Sequence, residues 1–120
     1  MKTILIADDS PSVRQVVGLT LRGAGYAVVE AEDGQAALQQ AAANTIDGVI
    51  TDLNMPQMDG LEFIRRYRAT EKGSGVPIVF LSTESDDAIR QQARQAGALG
   101  WMIKPFKPEQ LIAVVKKVVG

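Results

Sequence analysis

Asp52 closes the apolar, β-branched run Gly48-Val49-Ile50-Thr51, and Pro56 and Gly60 punctuate the loop that follows. Such a run reads as a fully buried strand. In an open parallel sheet, ligands gather beyond the carboxyl ends of the strands. A carboxylate there needs a partner, because an unpaired buried charge is costly. Polar residues close other apolar runs in the same way: Asp8 and Asp9 after the first, Ser82 and Thr83 after the fourth, Lys104 after the fifth. Three carboxylates drawn together repel and resist ionising side by side. A divalent cation relieves that repulsion, and hard oxygen donors left partly open suit Mg²⁺. Lys104 adds a compact positive charge and Ser82 a hydroxyl. A group that engages cation, ammonium and hydroxyl at once is a phosphoryl group.

Taken singly, each of these residues has a plainer reading. Asp8, Asp9 and Ser10 are good helix caps. Ser82 and Thr83, alone, read better as a cap or a turn. Lys104 before Pro105 is, alone, an ordinary exposed lysine. Joint placement favours the site, since each falls within a residue or two of a predicted strand end. The strand interiors carry no carboxylate or lysine except Glu30, in the strand expected at the sheet edge.

The elements that must position these residues alternate strand and helix. Residues 2–7 (KTILIA) form the first strand. Ser10 caps a helix with Pro11 at its first position, and Gly25 ends it. Residues 27–31 (AVVEA) form the second strand, and Asp33-Gly34 turns into a helix with Ala37, Leu38 and Ala41 inward. After Asp52, a helix over about 60–69 presents Leu61, Ile64 and Tyr67 to the core. Pro77 opens the fourth strand, over 78–81, and Asp86 or Ser85 caps a helix whose inner face is Ile89, Ala93 and Ala96. The fifth strand covers 98–103 (ALGWMI), and Pro108 starts a last helix with Leu111, Ile112, Val115 and Val118 on one face. Five such units predict an α/β doubly wound parallel sheet with helices on both faces, a three-layer sandwich over residues 1–120. By analogy with five-stranded sheets of this size, the expected order is the flavodoxin-like 2-1-3-4-5.

Composition narrows the chemistry. A chain of 120 residues, 46% hydrophobic and 22% charged, is one globular domain. Thirteen basic against fourteen acidic residues leave no excess to grip nucleic acid. Cysteine is absent, so disulfides, thiolate catalysis and cysteine zinc sites are excluded. Histidine is absent too, which excludes a Ser-His-Asp triad and any imidazole phosphate carrier within the chain. Neither a membrane-spanning run nor a signal-peptide pattern is present, and the expectation is a cytoplasmic monomer.

The set Asp8-Asp9, Asp52 with Met55-Pro56 and Asp59-Gly60, Ser82, and Lys104-Pro105-Phe106 resembles the receiver domains of two-component response regulators. The resemblance covers essentially the whole chain. It implies that Asp52 accepts a phosphoryl group from a phosphohistidine on a sensor histidine kinase. It implies that Asp9 and Asp52 ligate Mg²⁺ directly with the Asn54 carbonyl, while Asp8 acts through water. It further implies that Ser82 and Lys104 bind phosphoryl oxygens, that the Lys104-Pro105 bond is cis, and that Asn54 and Glu84 flank the phosphoryl group. The chain ends just after the fifth helix, so signalling is expected through surface recognition. This looks like the single-domain chemotaxis (CheY-like) regulators that act on a flagellar switch, through a surface made by the fourth and fifth helices and the fifth strand. Trp101 departs from the pattern, standing where many relatives carry Tyr or Phe. Its plainer reading is a half-buried packing residue.

The alternative of a receiver module within a larger regulator shares every marker, and other classes fit less well. An Asp-nucleophile phosphohydrolase would carry Asp-x-Asp after the first strand, which is absent. A flavodoxin-type cofactor module needs a phosphate-cradling loop there, and Asp8-Asp9-Ser10-Pro11 has the wrong charge. No Walker-type Gly-x-x-x-x-Gly-Lys occurs.

Overall fold

The first apolar run forms β1 (Thr3–Ala7), and Ser10 caps α1 (Pro11–Gly23) by accepting from the Val13 N–H. The computed structural model describes residues 1–83 and 86–120, so the roles expected of Glu84 and of Ser85 lie outside the described residues. Gly25, at φ +96°, makes the left-handed turn into β2 (Ala27–Ala31). Asp33 caps α2 (Gly34–Ala43). β3 (Gly48–Thr51) leads to α3 (Gly60–Arg68), capped by Asp59. β4 (Ile78–Ser82), α4 (Asp87–Gln95), β5 (Gly100–Ile103) and α5 (Pro108–Val118) complete the order, with Asp86 as the cap of α4.

All four strand pairings are parallel, in the order β2-β1-β3-β4-β5. This is the expected flavodoxin-like sheet. Strand side chains alternate between the two faces. Ile4 and Ile6 join Val17 and Leu21 of α1 and Leu111 and Val115 of α5 on one face. Leu5 and Ala7 join Ala37 of α2, Phe63 and Ile64 of α3 and Ala93 of α4 on the other. Among the described residues no helix is long and apolar enough to cross a membrane.

Two expectations need correction. β5 begins at Gly100 rather than at residue 98, because the Ala98 N–H bonds back to the Ala93 carbonyl and closes the end of α4 around Gly97, at φ +109°. The inner face of α3 is Gly60, Phe63, Ile64 and Tyr67, so Phe63 joins the expected residues, and Leu61 packs against the core partly buried. Phe63 and Tyr67, one turn apart on α3, stack with ring centroids 5.7 Å apart, and both are buried in the core. On α4 and α5 the expected faces do turn to the core: Ala93, Leu111 and Val115 are buried, Ile89, Ala96 and Val118 pack against them partly buried, and Ile112 is half-buried.

Candidate functional site

Strand register assembles the site. Ala7 pairs with Thr51, so β1 and β3 end in one row, and the Asp52 N–H donates to the Ala7 carbonyl at 2.7 Å. Asp8 and Asp52 therefore stand side by side just beyond the sheet. On the other flank Ser82 pairs with Ile103, and the Lys104 N–H donates to the Ser82 carbonyl at 2.9 Å. Lys104 can then reach back across β4 and β3. Its Nζ lies 2.8 Å from Asp8 Oδ2 and 3.5 Å from Asp52 Oδ2.

The two inner carboxylates are anchored as well as paired. Asp8 is 2% exposed, and its Oδ1 accepts from the Ser10 N–H at 2.9 Å. Asp52 is 8% exposed, and its Oδ1 accepts from the Leu53 N–H at 2.8 Å, leaving Oδ2 on the Lys104 side. The loop after Asp52 folds back tightly, with the Gly60 N–H on the Leu53 carbonyl at 2.8 Å. A Cβ on Gly60 would lie 2.2 Å from the Asp52 carbonyl oxygen, so only glycine permits this closure.

Asp9 is exposed, and one carboxylate oxygen from each of Asp8, Asp9 and Asp52 falls within 4.8 Å of the others. Burial raises the Asp52 carboxyl above its ordinary range, the Asp8 charge raises it further, and Lys104 and the Leu53 N–H pull it back. The donor set is all carboxylate oxygen, which fits a small hard dication and not zinc, whose sites favour nitrogen and sulfur. Asn54 lies exposed in the loop between Asp52 and Gly60. Ser82 is wholly buried at the end of β4, and Thr83 beside it is exposed. The Lys104-Pro105 bond is cis.

Trp101 is half-buried and pairs with Phe80, the ring centroids 5.3 Å apart. Ser82 stands two residues beyond Phe80 and so faces the same side of the sheet. The Arg90 guanidinium lies over the indole at 5.9 Å. Sequence reasoning overlooked Arg14, which donates Nη1 to the Asp8 main-chain carbonyl and pairs through Nε with Glu30. The available signal was Glu30 itself, a lone charge inside a strand that needs a cation.

Comparison with known proteins extends this geometry to the whole chain. Residues 4–116 match the family model described as "Response regulator receiver domain". The chain is 37% identical to "Chemotaxis protein CheY1" of Helicobacter pylori, over 98% of this chain and 96% of that protein. It superposes on chemotaxis protein CheY4 of Vibrio cholerae with a TM-score of 0.95 and 42% identity, covering 98% of each chain. The receiver domain of sensor histidine kinase PA1611 from Pseudomonas aeruginosa, described with a magnesium ion coordinated in its active site cleft, matches with a TM-score of 0.91 and 32% identity, covering 99% of this chain and 98% of that one. Strand order, acidic cluster and end-to-end likeness agree, and the chain belongs to the response regulator receiver domain family.

Proposed function

We propose that this chain is a phosphorylation-activated switch of a two-component system. Asp52 takes the phosphoryl group from a sensor histidine kinase, and a surface formed by α4, β5 and α5 engages a downstream protein. The observation that carries the reading is Lys104 Nζ lying within 3.5 Å of both Asp8 and Asp52 at the strand ends. Likeness along nearly the full length of single-domain chemotaxis proteins supports chemotaxis as the pathway, with a flagellar switch as the target. Residues 1–120 act as one receiver domain, monomeric and cytoplasmic.

The chemistry follows from the anchoring. The Leu53 N–H holds Oδ1 and fixes the carboxylate plane, so Oδ2 is the atom that attacks phosphorus. The new bond is Oδ2–P, and the bond that breaks joins phosphorus to the donor imidazole nitrogen, which leaves with the electron pair. In-line transfer of a loose phosphoryl group depends mainly on positioning and charge neutralisation. Lys104 supplies an ammonium beside Oδ2 for the phosphoryl oxygens, and the Ser82 hydroxyl stands at the neighbouring strand end. Asp8, Asp9 and Asp52, with the Asn54 carbonyl, would hold Mg²⁺. When bound, the ion supplies positive charge that offsets repulsion between carboxylate and phosphoryl oxygens. With no histidine in the chain, the donor is always external. The protein assists its own phosphorylation and dephosphorylation and does not turn over free phosphate esters.

Incubation with Mg²⁺ and acetyl phosphate should add one acid-stable, base-labile phosphoryl group to the intact chain, and Asp52→Asn should lose it. A variant that labels as well as the parent, with the label mapping elsewhere, would sink the assignment.

A further inference from the structure

We infer that Arg14 is a positioning residue for the acidic site: anchored on Glu30 of the edge strand, its guanidinium holds the Asp8 main chain and so sets the carboxylates that take the divalent cation. This rests on the metal reading proposed above.

Arg14 makes two contacts in different directions. Its Nε lies 3.4 Å from Glu30 Oε1, and its Nη1 donates to the Asp8 carbonyl. Its side chain is only 17% exposed, so the guanidinium is enclosed by these partners. The other oxygen of Glu30 faces Arg22 Nη2 at 3.5 Å, and the two arginines bracket the carboxylate. The Asp8 N–H, for its part, donates to the Ala31 carbonyl at 3.1 Å. Both polar groups of the Asp8 main chain are thus tied to β2, one directly and one through Arg14. The Asp8 carbonyl belongs to the peptide that joins Asp8 to Asp9. Fixing its direction therefore constrains the backbone from which both carboxylates project.

Charge alone argues against an arginine here, because a guanidinium close to a cation site repels the cation. The geometry gives the opposite expectation, since the planar fork spans two acceptors that a lysine ammonium cannot span together. These two expectations differ in sign, which makes the inference testable. Partners of this outer kind typically change metal affinity by about 10- to 100-fold.

The test is a calorimetric titration of the full chain with Mg²⁺, paired with thermal melts in EDTA to confirm that each variant folds. Arg14→Gln should bind Mg²⁺ roughly tenfold more weakly than the parent, at the lower end of that range. Arg14→Lys, which keeps the charge and most of the stem, should be weakened similarly. Arg22→Gln, whose side chain reaches Glu30 and not Asp8, should bind nearly as the parent does. Glu30→Gln should weaken binding in the parent and add nothing in the Arg14→Gln background, as expected of one coupled unit. Equal or tighter Mg²⁺ binding by folded Arg14→Gln would overturn the inference while leaving the metal site standing. A parent that fails to bind Mg²⁺ would overturn both.

Discussion

Asp52 is the residue on which the site turns, and its ionisation carries a stability consequence. Burial first, and then the Asp8 charge, hold its carboxyl above the ordinary value of 3.8. A carboxyl whose native pKa exceeds its unfolded value binds its proton more tightly when folded. Its stabilising contribution is complete below pH 3.8 and is lost as pH rises through the native value. With divalent cations chelated, Asp52→Asn should therefore be more stable than the parent at neutral pH. That advantage should vanish below pH 3.8. Urea midpoints across this range decide the matter, and identical midpoints at neutral pH would mean that Lys104 and Leu53 already compensate the charge. Asp52, Asp8 and Lys104 were legible in the chain because each interrupts an apolar run abruptly. Arg14 was not. Glu30, a lone charge inside a strand, signalled a cation but not which one, and its pairing with an arginine that also reaches the loop after β1 is made only in the folded sheet.

Among the elements, α3 and the turns around it are tied by a single side chain. Arg68, in the last turn of α3, donates to the carbonyls of Gly73, Val76 and Gly97. It thereby joins the segment before β4 to the turn that ends α4. Burial lowers its pKa from the usual guanidinium range. Those carbonyls would be left without this donor in Arg68→Met, and a hydrogen bond to a charged group is worth about 1.5–3 kcal/mol. The variant should lose at least that much in urea unfolding, whereas Arg65→Met on the exposed face should stay within about 0.5 kcal/mol. Similar losses in both would show that Arg68 acts only as surface charge. The elements themselves were readable from caps, prolines and periodicity, and β2 and β3 have the expected limits. What escaped was decided by packing and by helix-end geometry: Phe63 joined the buried face of α3, and the Ala98 N–H went to the end of α4 instead of to the sheet. Strand order came from analogy, because no single run states which strand it will pair with.

For the molecule as a whole, phosphorylation at Asp52 is expected to change the α4-β5-α5 face. The register sets out the connection. Ser82 ends β4 beside the site, Phe80 lies two residues before it on the same face, and Phe80 packs on Trp101 of β5 under Arg90. A charge-assisted hydrogen bond from the Ser82 hydroxyl to a phosphoryl oxygen is worth roughly 1.5–3 kcal/mol. A ligand shifts an equilibrium only by its differential affinity, so this bond moves populations by about 10- to 150-fold. The most direct measurement records Trp101 fluorescence, the chain having one tryptophan, together with intact mass during incubation with Mg²⁺ and acetyl phosphate. The parent should gain one phosphoryl group and change its emission in step. Asp52→Asn should do neither, and Ser82→Ala should accept the group with a much smaller emission change. Equal emission changes in the parent and Ser82→Ala at equal phosphorylation, or phosphorylation of the parent with no change at Trp101, would show that Ser82 does not couple Asp52 to this face.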